Sequence, residues 1–191
     1  MSEVGTYDAW RRQFNGRTEW EETELYEQQA REVVAAISRE FEEDDDGQLL
    51  TDKQIGVRRR LVATLFRDVF DVRRRAVNGC VRGSGLQGDR DSEWCFPLEG
   101  NDSQIGELRH PVTVNGHGDT DIRGWQFRMY FAAPLVEPAL ILFLVFGRKP
   151  SSLVSDDWQA IQREHIEQAR AEFSAWRAKR QLGNSLPRGN G

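Results

Sequence analysis

Arg128, Arg148 and Lys149 are the side chains whose types and spacing most readily suggest chemistry. Arg128 lies in WQFRMYF, where Trp125, Phe127, Met129 and Phe131 alternate with Gln126, Arg128 and Tyr130. A period of two is the mark of a strand with one apolar face, so Arg128 projects from the opposite side. The unbroken apolar run from Ala139 to Phe146 reads as a central strand covered on both faces, and it passes directly into Gly147, Arg148 and Lys149. Pro134 and Pro138 bracket the turn between the two segments, which makes an antiparallel hairpin the simplest connection. Such a hairpin would let three cations converge on one anion.

The other groups capable of chemistry offer less. His117 sits in a Gly-rich turn, NGHGD, that leaves it accessible, whereas His110 precedes Pro111 as a loop residue. His165 falls on the apolar stripe of the last helix and reads as a packed side chain. Cys80 and Cys95 show neither CxxC spacing nor a nearby HxxxH, so no metal site and no cofactor is expected, and two reduced thiols are the simplest state. The segments GSGLQGD and NGHGD lack the lysine and spacing of a phosphate-binding loop and read as turns.

The elements that must position these residues follow from periodicity. Thr18 with Glu21 has the form of a capping box, and Tyr26, Ala30, Val33, Ile37 and Phe41 then recur at helical spacing. The acidic run EEDDDGQ ends that helix. Thr51 with Gln54 opens a second one, burying Ile55, Leu61, Val62, Leu65, Phe66, Val69 and Phe70. Its arginine triplets, at 58–60 and 73–75, span more than one face and are part packing surface, part available charge. Residues 78–106 read as a long loop with one short strand around Trp94 to Leu98, and loops of that length are uncommon unless functional. Pro111 to Asn115 reads as a further short strand, and Tyr7 to Phe14 as an extra one at the start. Trp158, Ile161, His165, Ala169, Phe173 and Trp176 mark a C-terminal helix. The expectation is a single α+β domain over residues 1–182, a small antiparallel sheet with an N-terminal helical hairpin and a C-terminal helix, followed by a disordered tail over 183–191.

Charge is divided along the chain. Residues 1–50 hold 14 acidic and 5 basic side chains, a net of −9, while the remainder nets +4. A mildly basic body suits a polyanion, and the acidic arm could screen it or serve as a solvated linker. The start, MSEVGTYDAW, has neither a basic n-region nor an apolar h-region, and no apolar run reaches the roughly 18 residues that span a bilayer. A cytoplasmic protein is expected.

The segments GELRHPVTVNG, GWQFRMYF, ALILFLVFGRK and HIEQARAEF, in this order over Gly106 to Trp176, resemble the RelE/ParE toxin superfamily, in its HigB-like and phage-derived branch. The resemblance implies a RelE-like fold and a toxin of a type II toxin-antitoxin system. It implies metal-independent endoribonuclease activity on messenger RNA at the ribosome, by attack of the ribose 2′-hydroxyl on the adjacent phosphate. That reaction needs a base, cations for the developing charge and an acid for the leaving oxygen. By position Arg128 matches the family's strand arginine, and Arg148 with Lys149 matches its basic element. Arg109, Arg123 and Tyr130 would bind RNA, and a cognate antitoxin would be the protein partner, with no membrane and no direct DNA contact. The chain departs from the family in its length, in its acidic first helix and in having no tyrosine after the basic element, a gap that His117 would fill. Two alternatives stay open: a non-catalytic interaction protein of the same fold, and a phage or mobile-element protein without activity.

Overall fold

The structure, a computed structural model, describes residues 4–14, 16–17, 19–42, 50–86, 92–98, 104–110, 126–149 and 157–185. Its elements are α1 (Val4–Phe14), β1 (Glu19–Glu22), α2 (Glu24–Glu42), α3 (Asp52–Val77), β2 (Trp94–Cys95), β3 (Ile105–His110), β4 (Gln126–Ala132), β5 (Leu140–Lys149) and α4 (Asp157–Ser185). One five-stranded sheet has the order β1-β5-β4-β3-β2. The α+β expectation holds, with one correction: the sheet is mixed, because β1 runs parallel to β5 while the other pairs are antiparallel.

Helices cover both faces of the sheet. On one side Trp10 and Phe14 of α1, Tyr26 and Ile37 of α2, and Val62, Phe66, Val69 and Val72 of α3 pack on Phe127, Met129, Phe131, Phe143 and Phe146. On the other, Ala169, Phe173 and Trp176 of α4 pack on Ile105, Tyr130, Ala132, Leu142 and Val145. This second layer decides the setting of Arg128. The alternation in β4 is as expected, yet the polar face is roofed by a helix rather than open to water.

Several local readings change for physical reasons. Val4–Phe14 is a helix where a strand was expected, because Trp10 and Phe14, four residues apart, both point into the core and Trp10 Nε1 donates to Ala76 O at 2.8 Å. Glu21 lies in β1, so the capping box expected of Thr18 and Glu21 does not form; Thr18 itself is outside the described residues. Thr23 caps α2 instead. Its hydroxyl accepts from Tyr26 N at 3.2 Å and donates to Leu144 O at 2.9 Å, which ties the start of α2 to β5. Thr51 and Gln54 do form the expected capping box of α3.

Residues 105–110 form a full strand that takes in Ile105 and Gly106, expected as the end of the loop, and His110, expected as a loop residue, is its last residue. Within the stretch expected as loop, Glu93 N donates to Arg82 O and Phe96 N to Gly85 O, which ties 82–85 to 93–96. Gly85, at φ +71°, lies so close to the Trp94 ring that a Cβ there would come within 2.2 Å. The short strand expected over Trp94 to Leu98 is present as β2, two residues long. Helix α4 continues to Ser185, so residues 183–185, expected as part of the tail, are helical; the rest of that stretch lies outside the described residues. The strand expected over Pro111 to Asn115 lies outside the described residues. No helix among them is long and apolar enough to cross a membrane.

Candidate functional site

Strands β3 and β4 set four polar side chains on the α4 face of the sheet. Arg109 pairs with Arg128 and Glu107 with Tyr130, and residues directly opposite across an antiparallel ladder share a face. Two facing guanidiniums repel, and Glu107 is placed to offset that repulsion. Its Oε1 accepts from Arg109 Nε at 2.7 Å and from Arg128 at 3.4 Å. Arg128 also donates to Gln126 Oε1 at 3.4 Å. The exposed side-chain fractions are 2 % for Glu107, 11 % for Arg128 and 15 % for Arg109, so the charges are withdrawn from bulk water with the carboxylate deepest. At that depth Coulombic terms are strong and an unmet polar atom is costly.

Unmet polar atoms concentrate here. Glu107 Oε2, Arg128 Nε, Tyr130 OH and His165 Nδ1 are all buried without a hydrogen-bond partner among the described residues. Burial, with the Glu107 charge beside it, pushes the Tyr130 phenol far above its ordinary range and keeps it protonated. His165 enters from α4, its ring 5.7 Å from that of Tyr130, and burial holds its imidazole below the usual histidine pKa. Gly147 makes the approach possible, since a Cβ there would lie 2.5 Å from His165 Cε1. The result is a carboxylate between two guanidiniums, with a phenol and a neutral imidazole beside them. Such a set can receive an anion through fixed donors and can move a proton.

The expected convergence of Arg128 with Arg148 does not occur. Tyr130 pairs with Val145 but Phe131 pairs with Phe143, so β5 carries an extra residue, Leu144, as a bulge. Beyond the bulge the faces of β5 are exchanged. Phe146 packs with the α1–α3 layer, and Arg148, two residues on, pairs with Phe127 of that same layer. Arg148 therefore lies on the face opposite Arg128. Lys149 pairs with Gln126, and its side chain is outside the described residues, as are His117 and Arg123. Of the residues expected to act, Arg109, Arg128 and Tyr130 are brought together.

Glu107 and His165 were not singled out from the sequence as functional. A signal for Glu107 was present: Glu107 and Arg109 sit two apart around Leu108, as Arg128 and Tyr130 do around Met129. For His165 there was none, because its stripe position is shared with Ala169 and Trp176, which are core residues.

Other charge clusters have structural partners. Arg75 grips Glu93 with two bonds of 2.7 and 2.9 Å, and Arg82 N donates to the same carboxylate at 2.8 Å. Arg73 is ion-paired with Glu22 and lies over the Trp20 and Phe70 rings beside a groove of about 600 Å³. The cations of that groove, Arg67, Arg73 and Arg74, are each paired with an acid, so it carries no surplus charge. Among the described residues no group of three or more His, Cys, Asp or Glu side chains could hold a metal ion. Comparison of the chain with protein-family models, with curated proteins and with solved structures finds no match.

Proposed function

We propose that this protein is a toxin-type endoribonuclease that cleaves messenger RNA without a metal, and that the scissile phosphate is received by Arg109 and Arg128. The observation that carries this reading is the pair of unmet donors, Arg128 Nε and Tyr130 OH, beside a Glu-bridged arginine pair. A phosphate offers the acceptors that an unpaired guanidinium Nε and a phenolic hydroxyl lack, and arginine's planar fork suits it. Arg109 and Arg128, less deeply placed than Glu107, form the outer part of the site where a phosphodiester would enter. The family resemblance supports the same chemistry through Arg128. It also suggests the ribosome as the setting and an antitoxin as the protein that restrains the activity.

Induced expression in a bacterial host tests this reading. Growth arrest and shortened messenger RNA are expected for wild type and not for Arg128→Ala; equal growth with intact RNA in both would overturn it.

A second reading has its own observation. Leu135 and Val136, 77 % and 75 % exposed, form the tip of the β4–β5 turn. The base of that turn is held by Arg17, which donates to the carbonyls of Pro134, Glu137 and Leu140. An apolar tip on a braced turn suits contact with another protein, and a non-catalytic interaction protein would use it. Recovery of a stoichiometric partner lost in Leu135→Asp, with no RNA cleavage by wild type, would favour that reading.

A further inference from the structure

We propose that the groove between β1 and α3 binds a nucleobase, stacked on the Trp20 indole. Trp20 pairs with Ile141, which packs in the α1–α3 layer, so its ring stands on that face of the sheet, opposite the face that holds Arg128. There it borders a groove of about 600 Å³ whose other walls are Arg67, Asp68, Phe70, Asp71, Arg73 and Arg74 of α3. That volume is in the range of small-ligand sites. Among the described residues Trp20 is the one exposed aromatic side chain, at 46 %. An indole left in water forgoes the burial that an aromatic ring ordinarily gains, and a planar ligand laid on it supplies that burial.

The ring is held in place before any ligand arrives. Pairing with β5 fixes its backbone, and the Arg73 guanidinium lies 5.6 Å from the indole centroid while ion-paired with Glu22, two residues along the same face of β1. Arg73 also lies 5.5 Å from the centroid of the Phe70 ring, so one cation joins both rings into a platform. A platform fixed beforehand loses little entropy when a ligand stacks on it. Charge then narrows the class of ligand. Arg67 is paired with Asp68, Arg73 with Glu22 and Arg74 with Asp71, which leaves the groove no surplus charge to hold a small anion or cation. What it offers is an aromatic surface rimmed by guanidinium donors and carboxylate acceptors. A nucleobase is flat and uncharged and carries both donors and acceptors on its edge, so it matches the surface and the rim together. An aliphatic chain would leave the rim unmatched. A free nucleotide and an unpaired base of an RNA strand present the same chemistry. The site goes beyond the phosphate site of Arg109 and Arg128, and it stands whether or not RNA is cleaved.

The experiment follows the Trp20 indole N–H of the full chain by NMR, assigned through its loss in Trp20→Phe. Adenosine, adenosine 5′-monophosphate, ribose 5-phosphate and a short single-stranded oligoadenylate are each titrated to millimolar concentration. Adenosine is expected to shift that resonance saturably, the monophosphate to bind no more than a few-fold more tightly, and ribose 5-phosphate not to bind. An oligoadenylate that binds far more tightly than adenosine identifies a strand as the source of the base, and equal binding identifies the free nucleotide. Trp20→Leu removes the ring from an exposed position and is expected to weaken binding about 5- to 150-fold, the scale of one lost stacking contact. Trp20→Phe, read at the β1 amides, keeps a ring and should keep most of the affinity. No saturable shift with adenosine overturns the proposal, as does ribose 5-phosphate binding as tightly as the monophosphate, or equal affinity in wild type and Trp20→Leu. The wild-type titration needs no variant, so it decides the matter even if Trp20→Leu fails to fold. It reads binding and not cleavage, so its failure and that of the cleaving reading are seen separately.

Discussion

Glu107 is the residue on which the site depends, since it is the group that permits Arg109 and Arg128 to stand opposite one another in a covered place. Removing one partner of a buried ion pair strands the other charge, whereas replacing the whole set costs far less. Glu107→Gln is therefore expected to lower stability by about 3 kcal/mol, measured by urea unfolding, and to lower RNA affinity by loosening both guanidiniums. Arg128→Ala leaves Glu107 still paired with Arg109, so its loss should be smaller than that of Glu107→Gln while its effect on cleavage is larger. Gly147 gives an independent test at the same scale. A methyl group there meets His165 Cε1 at 2.5 Å, and Gly147→Ala should destabilise by about 1–3 kcal/mol through the displaced ring or helix. An unchanged melting temperature for Gly147→Ala would show that the His165 ring does not press on position 147.

At the level of elements, the bulge at Leu144 decides which cations meet. Without it β5 would keep one alternation throughout, and Arg148 would share a face with Arg128. The sequence could not announce it, because every residue from Leu140 to Phe146 is apolar and fits either face. Deletion of Leu144 is expected to leave Phe143, Val145 and Phe146 on their present faces, since it removes only the residue that the ladder bulges out, so the chain should still fold with a loss of about 2–5 kcal/mol for the buried leucine, read by urea unfolding. The strand β1 was illegible for the opposite reason. Glu-Trp-Glu-Glu is short and charged, as suits a sheet edge that must not recruit another strand, and so it lacks a strand's apolar pattern. The α3 start was legible because the Thr51 and Gln54 capping box is local chemistry, satisfied within four residues. Thr51→Ala should cost about 1 kcal/mol, seen as a fall in the urea midpoint without a change in slope.

The molecule is a mixed sheet between two helical layers, and this arrangement explains why the polar face of β4 could not be interpreted from β4 alone. Alternation reports which side chains share a face. It does not report that α4, beginning 25 residues after Ala132, returns to roof that face. Glu93, next to β2 at the far edge of the sheet, is tied to Arg75 of α3 and contributes to the response to acid. Burial raises the Glu93 carboxyl, but the Arg75 and Arg82 bonds outweigh it and bring the group below the usual glutamate value. A carboxyl lowered in the folded state contributes stability that is present above its unfolded pKa of about 4.5 and is lost as pH falls through the folded value. Unfolding free energies of wild type and Glu93→Gln should therefore differ most near neutrality and converge below that range. Cleavage of a single-stranded RNA by the purified protein in the presence of a metal chelator decides whether Arg109 and Arg128 receive a scissile phosphate without a metal, with wild type and Arg128→Ala compared at equal folded concentration. The expected result is cleavage by wild type that survives chelation and falls at least a hundredfold in Arg128→Ala, the scale of losing one transition-state charge donor; intact RNA with wild type, or equal cleavage by both, would contradict it.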